Sequence, residues 1–372
     1  MMVLFVLRFV LIALFFIGLW VPPLVTLTSP IEEVSTVERR QLAPMPAIDA
    51  GDLASFPAAF EAFYNDHFGL RAPLVERFNL LQVSLLGTST SDRVIVGADG
   101  WLFQNHPMHV RDMRNLWPFS EDELRHWANI LSAKYQWCRD HGIVYAFVLT
   151  PSKHLIYPEK LPAAFQPVNP DSRADQLVDY LGRHTEVPII DLRPSLLRKK
   201  ELLRPYHKTD THWNEYGGFV GYYDIVQYLK EHLSDIHIIR MNHTHFAMVE
   251  GPSGDLAAAL NLQNRIIEEK PVPTKVELSC ITNSTIAGED GPAARNQQWF
   301  STQCEGRDNR LLMFRDSYSL ALMPYLSESF AYAYYVPHSP VKLEDFKRIA
   351  TEQKPDVIIE QRTTRWLRTP EG

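Results

Sequence analysis

Cysteine is scarce in this chain, and a net basic charge is missing. Only Cys138, Cys280 and Cys304 occur, with no CxxC pair among them, which excludes zinc ribbons, dithiol redox motifs and disulfide-dense scaffolds. Lys and Arg number 37 against 44 Asp and Glu, a formal charge of −7, whereas a nucleic-acid binder needs a cationic footprint. Internal repeats and low-complexity tracts are absent as well. What is present is a globular composition, 45 % hydrophobic and 22 % charged, which sets disordered and collagen-like classes aside. At 372 residues the chain can form two domains, or one enlarged domain with appendages.

Charge is also missing from residues 9–31, and FVLIALFFIGLW at its centre approaches the ~20 apolar residues of a bilayer crossing. Arg8 precedes this run, and Glu32, Glu33, Glu38, Arg39 and Arg40 follow it, so the positive-inside preference places the N-terminus in the cytoplasm and the body outside. We read residues 1–31 as an uncleaved signal anchor. A cleaved signal peptide is the alternative by length, although only Thr26 and Thr28 imitate an A-x-A site. A buried core helix fits poorly with the terminal position and with Pro22 and Pro23. An extracytoplasmic body permits disulfides; Cys280 and Cys304 are close enough to close a modest loop, with three buried free thiols as the alternative.

Residues 32–55, rich in Pro and Glu and without apolar periodicity, read as a tether. Helical spacing follows over 56–68 and 71–86, then a hairpin turning at Asp99 and Gly100. Ser120 and Glu123 form a capping box before a helix that ends near Gly142. GIVYAFVLTP is a buried-type strand, followed by a helix over 174–184, a strand over 187–191 and a helix over 214–232. After a loop-rich stretch over 237–310, strands at 311–314, 331–336 and 356–360 alternate with helices at 318–326 and 343–351. Alternation of this kind implies a flavodoxin-like α/β fold, a parallel sheet of about five strands flanked by helices. Ligands collect beyond the carboxyl ends of such strands.

Ser317 stands where a buried strand gives way to a helix, so its N–H faces the positive end of that helix. A serine hydroxyl becomes a nucleophile only when a base removes its proton. His212 in KTDTHWNEYGG is the candidate base, and Asp210, two residues earlier on the same side of an extended segment, would orient the imidazole. Each has a plainer role open to it: Asp316 and Ser317 as helix caps, His212 as a surface or core histidine. Ser152 and Lys153 follow the first strand, where they can donate to an acyl oxygen or meet an acidic sugar. Tyr157, Tyr216, Trp213 and Tyr318 can stack on sugar rings or pack in the core. His237, His243 and His245 lack a ligand trio and are not read as a metal site. Residues 364–372 read as a solvated end.

The chain resembles the SGNH-hydrolase-like acetyltransferases of the alginate O-acetyltransferase family, AlgJ and AlgX. The resemblance rests on ERRQLAPMP (38–46), FYNDHFGLR (63–71), VGADGWLF (96–103), TPSKHLIYPEKLP (150–162) and TDTHWNEYGG (209–218). SGDLA (253–257), RDSY (315–318) and KPDVIIEQ (354–361) complete it, and DTHW with a later DS is its most specific part. It implies an SGNH-like acetyltransferase domain over 56–372 in the periplasm, anchored in a bacterial inner membrane, with Asp210, His212 and Ser317 as acid, base and nucleophile. It further implies acetyl transfer to exopolysaccharide hydroxyls through an acetyl-serine, with a polysaccharide acceptor, a membrane-bound O-acyltransferase as acetyl donor, and no cofactor. Lys153, Tyr157, Trp213, Tyr318 and Arg315 are assigned to substrate contact. Arg315 also departs from the small residue that SGNH enzymes commonly carry two places before the nucleophile, so the oxyanion hole is expected to differ. The Asn65–Asp66–His67 stretch is expected to fix a helix end. A carbohydrate esterase and a non-catalytic polysaccharide scaffold are the alternative readings.

Overall fold

The structure, a computed structural model, describes residues 2–28, 33–35, 40–48, 51–274, 276, 278–285, 299–337 and 340–370. It forms two compact units, Met1–Ser91 with Ala257–Ile266, and Asp92–Leu256 with Ile267–Gly372.

The first unit begins with a helix over Met2–Thr28 that carries Pro22 and Pro23 inside it. Its segment Val6–Thr28 has a mean hydropathy of 2.4 over the most apolar window and is exposed along residues 6–20, while Pro22 is buried. At ~1.5 Å per residue such a segment outreaches a hydrocarbon layer of ~30 Å, so it is a candidate membrane span. Helix Phe56–His67 has Pro57 in its first turn, where a missing N–H costs nothing. Helix Arg71–Leu81 follows and widens into a π-turn over Gln82–Leu86. Asp66 accepts from the Ala43 N–H at 2.8 Å, and His67 Nδ1 bonds the Phe63 carbonyl at 2.9 Å.

The second unit is built on a seven-stranded sheet. In chain order its strands are β1 (Val144–Thr150), β2 (Ile189–Asp191), β3 (Ile281–Thr285), β4 (Trp299–Gln303), β5 (Arg310–Phe314), β6 (Tyr332–Val336) and β7 (Val357–Thr363). They lie in the order β2-β1-β7-β5-β6-β4-β3. The first five of that row pair in parallel, the five strands expected from the alternation. β4 and β3 extend the sheet antiparallel, which makes it mixed and places two strands in the stretch read as loop. Their sequences, WFSTQ and ITNST, carry too few apolar residues to show a strand period. A separate hairpin, Phe246–Pro252 with Ile267–Pro273, occupies more of that stretch. The last strand also inserts between β1 and β5, which departs from flavodoxin order. All seven β7 residues are buried, as a strand with neighbours on both edges and layers on both faces requires.

Alternation along β1 sorts its side chains to opposite faces. The helices of the two layers are α1 (Glu121–Asp140), α2 (Arg173–His184), α3 (Glu215–Lys230) and α4 (Leu343–Gln353). Ala146 and Val148 meet α3, whereas Tyr145, Phe147 and Leu149 meet α1, α2 and α4. The Ser120–Glu123 capping box is present, and Ser172 with Asp175 makes a second one. The Asn214 side chain caps α3 by accepting from the Tyr216 and Gly217 N–H groups. Cys280 and Cys304 form a disulfide, while Cys138 is a buried free thiol on α1.

Two local expectations change. The helix read over 318–326 is a 3-10 turn, Ser317–Ala321, followed by a short helix, Met323–Ser327. The Ser319 hydroxyl bonds back to the Asp316 carbonyl at 2.8 Å and Pro324 has no N–H to donate, so one continuous helix cannot form. The tail is a solvated end only in part: among its described residues, Trp366, Arg368 and Thr369 are exposed. Thr364 and Leu367 are buried and Arg365 is half-buried, because β7 runs three residues beyond Glu360 and carries the tail into the site.

Candidate active site

The end of β1, residues 209–213, the end of β5 and the end of β7 converge in the second unit. Asp316 closes β5 and caps the 3-10 turn, accepting from the Tyr318 N–H at 2.9 Å. Its other oxygen accepts from the Thr363 N–H at 2.7 Å, and Gln361 brackets its backbone and side chain at 3.0 and 2.9 Å. Asp316 is therefore the cap, and the next residue is left to face outward. The Ser317 Oγ lies 2.9 Å from His212 Nε2.

His212 Nδ1 lies 2.7 Å from Asp210 Oδ1, and the tautomer that suits both contacts places the proton on Nδ1 and lets the Ser317 hydroxyl donate to Nε2. The segment folds back on itself here, since the His212 N–H also donates to Asp210 Oδ1 at 2.9 Å. Two bonds tie it to the serine turn across the sequence: the Tyr318 hydroxyl donates to the Thr211 carbonyl at 2.7 Å, and Trp213 Nε1 donates to the Tyr318 carbonyl at 2.7 Å. The hydroxyl and imidazole are thus held together by backbone anchors as well as by their own contact.

Burial works to raise the Asp210 pKa, but the hydrogen bond and charge of His212 and the N–H groups of His212 and Asp255 outweigh it and hold it well below the carboxylate range. The carboxylate stays ionised opposite the imidazole.

Sequence reasoning left three supporting residues without a role. Asp255 accepts from the Thr211 N–H and hydroxyl at 2.8 and 2.7 Å, while its own N–H donates to Asp210 Oδ2 at 3.0 Å. Buried Glu268 takes the N–H groups of Lys208 and Thr209 at 2.6 and 3.0 Å, and the Thr209 hydroxyl too. Burial would raise Glu268, but bonds from His207, Thr209 and the Lys208 N–H bring it down to about 2. Gly254 presses on Asp210 so closely that a Cβ there would lie 2.2 Å from the Asp210 Cβ. The SGDLA motif was the available signal for two of these; Glu268 lies in a hairpin that the sequence did not reveal.

The residues assigned to substrate contact are placed differently. Trp213, Tyr318 and Tyr157 are buried, with rings covered by neighbours: His212 and Trp213 beside Tyr318, and Trp101 against Tyr157 at 4.0 Å. A ring must expose a face to stack on a sugar, so here these three act as packing. Arg315 is buried with its guanidinium over the Phe300 ring. Lys153 is buried and donates to the Leu102 and Lys208 carbonyls at 2.7 and 3.2 Å; burial pushes it down to about 8. Lys153 does line a cavity of about 30 Å³ beside the site, together with His109, His154, Thr211, Tyr318 and Arg365. Arg365 lies 5.1 Å from the Tyr318 ring and was missed because the tail was read as solvated. A groove of about 500 Å³ follows α3, where Tyr216, Tyr223, Lys199, Lys230 and Arg240 line it.

Asp210, His212 and Asp255 place ligand atoms within 4.8 Å of one another, a spacing a metal ion could use. Both Asp255 oxygens are engaged by Thr211, however, and Asp210 by the imidazole. Among the described residues, His237, His243 and His245 do not cluster with further ligands.

Residues 94–291, just over half of the chain, match the family model of the SGNH hydrolase-like domain, acetyltransferase AlgX. The chain belongs to this family. No curated protein matches it at a significant level. Among solved structures, Bacillus cereus PatB1 with a sulfonyl adduct is similar at 16 % identity and a TM-score of 0.55, covering 74 % of this chain and 97 % of that one. The O-acetyltransferase domain of Pseudomonas putida AlgJ is 19 % identical over 75 % of this chain and 92 % of its own, with a TM-score of 0.47. Pseudomonas aeruginosa AlgX is 17 % identical over 73 % of this chain and 62 % of its own, with a TM-score of 0.41. At 16 % identity the PatB1 likeness bears on the SGNH-like fold alone.

Proposed function

We propose that the chain is a periplasmic O-acetyltransferase that moves acetyl groups onto exopolysaccharide hydroxyls through an acetyl-serine at Ser317. The observation that carries this reading is the continuous contact from Asp210 through His212 to Ser317, 2.7 and 2.9 Å, in a member of an acetyltransferase family. His212 takes the Ser317 proton as Oγ attacks the carbonyl of an acetyl ester, and Asp210 steadies the imidazolium. Collapse of the tetrahedral intermediate breaks the donor's C–O bond, returns that proton to the leaving oxygen and leaves acetyl on Ser317. A sugar hydroxyl then gives its proton to His212 and attacks the ester; collapse hands the proton back to Ser317 Oγ. The Ser317 N–H opens the 3-10 turn, where a helical turn has no internal acceptor for it, and is suited to the oxyanion.

The candidate span supports membrane attachment, and a membrane-bound O-acyltransferase would present the acetyl group on the periplasmic side. The groove along α3 has room for a sugar unit, but Asp210, His212 and Ser317 do not line it. Incubating the full chain with an activated acetyl ester, with and without oligosaccharide, tests the reading. Mass spectrometry should find acetyl on Ser317 and acetylated oligosaccharide, and both should vanish in Ser317→Ala. Acetate as sole product with every acceptor would make the protein an esterase, and turnover without Ser317 acetylation would end the assignment.

A further inference from the structure

Helix Arg71–Leu81 and its π-turn present an unusual surface. Leu74, Phe78, Leu81 and Leu85 are 48, 54, 52 and 75 % exposed, and their spacing places them within a sector of about 90°. Scattered exposed apolar residues need no explanation, but a continuous stripe does. The opposite side of the helix is occupied within its own unit: Asn79 Nδ2 donates to the Leu260 carbonyl at 2.7 Å, and Glu76 pairs with Arg265 at 3.0 Å. The stripe is therefore the side that the unit's own packing leaves uncovered.

What covers it follows from where the helix begins. The turn before it is pressed on the outer end of the apolar helix Met2–Thr28. The Gly69 N–H donates to Thr26 Oγ1 at 2.8 Å, and a Cβ at Gly69 would lie 2.3 Å from the Pro22 carbonyl oxygen and 2.8 Å from the Thr26 nitrogen. The preceding helix, Phe56–His67, with its C-cap Phe68, carries an aromatic row: Phe56–Phe60, Phe60–Tyr64 and Tyr64–Phe68 rings lie 5.9, 6.5 and 5.8 Å apart. Tyrosine is enriched where hydrocarbon meets headgroups, and the Tyr64 ring in this row is exposed. Exposed Arg77 flanks the leucine stripe, with a side chain long enough to reach lipid phosphates.

We propose that residues 71–86 lie flat in the outer headgroup layer of the bilayer, with Leu74, Phe78, Leu81 and Leu85 set into the acyl boundary. Attachment is then bipartite, a span followed by an interfacial helix that fixes the orientation of the unit on the membrane. The proposal rests on reading Val6–Thr28 as a retained span.

The full chain, reconstituted in phosphatidylethanolamine–phosphatidylglycerol vesicles with a lipid that carries a diazirine high on its acyl chain, provides the test. After irradiation, peptide mass spectrometry should find lipid adducts on residues 71–86 as well as on 6–28. The double variant Phe78→Asp, Leu81→Asp should lower adducts on 71–86 by at least about tenfold and leave those on 6–28 unchanged. Both positions are exposed, so the variant retains the helix, which circular dichroism checks. Adducts on 6–28 alone, or labelling of 71–86 indifferent to the two aspartates, would overturn the proposal. So would shielding of the stripe only in native membranes, which would mean a protein partner or a second copy covers it. Absence of 6–28 from the mature chain would remove the span reading by itself.

Discussion

Under the proposed mechanism, Gly254→Ala should cripple acetyl transfer while leaving Ser317, His212 and Asp210 themselves unsubstituted. The added Cβ would lie 2.2 Å from the Asp210 Cβ and 2.6 Å from its Cα and Oδ2. Non-bonded carbons rest at roughly 3.5–4.0 Å, so Asp210 or the Gly254 segment must move by more than about 1 Å. If Asp210 moves, its 2.7 Å bond to His212 Nδ1 is lost, since contacts past about 3.5 Å no longer hold a hydrogen bond. A displacement of about 1 Å costs on the order of 10²-fold, and complete loss of an orienting carboxylate about 10⁴-fold. The expected fall in kcat/KM is therefore about 10²- to 10⁴-fold, equivalent to about 3–5 kcal/mol of transition-state stabilisation. Asp210→Asn sets the lower bound. Release of product from an activated acetyl ester supplies the rate, and a thermal melt shows that the fold survives. Activity within about threefold of the parent, with the Asp210–His212 contact intact in a crystal structure of the variant, would refute the reasoning.

Acid should destabilise the body, because burial, with help from Arg365, pushes His109 down to about 3, and burial with help from His109 does the same to His154. Between pH 6.5 and 3 the unfolded chain then binds more protons than the folded one, so stability is full above about 6.5 and is lost as pH falls, by up to about 1.4 kcal/mol per pH unit for each histidine. Asp112, raised to about 7 by burial, opposes this over part of the range, and His109→Gln should flatten the slope seen in urea melts at pH 4.5–6.5. A slope that is flat or reversed in the parent protein would contradict the burial argument. Reducing the disulfide, or Cys304→Ser, should lower stability by about 3 kcal/mol, since Cys280 and Cys304 are 24 residues apart and the bond removes that loop's freedom from the unfolded chain. An unchanged melting temperature in strong reductant would show that the bond contributes nothing.

Where local chemistry decides the outcome, the sequence was legible. Ser120 with Glu123 announces the start of α1, and the apolar run in β1 announces a buried strand. Elements that owe their form to neighbours were not legible. β4 is a strand because β6 offers an edge to pair with, and β3 because β4 offers the next, while their own sequences carry no sign of it. The tail shows the same thing at the site. Arg365 and Thr364 look solvated until β7 is seen to run past Glu360. Stacking residues were misplaced for a related reason, because composition cannot say which aromatic faces the rest of the fold will cover.

By itself the sequence determined the chemical inventory: a serine at a strand end, an Asp-x-His segment and one long uncharged run. Tertiary structure alone decided that Ser317 and His212, 105 residues apart, meet at 2.9 Å. It also decided that Asp255, Gly254 and Glu268 hold the Asp210 segment in place. Spacing along a chain fixes distance only within a helix or strand; between elements, distance is set by which surfaces bury each other, a property of the whole fold.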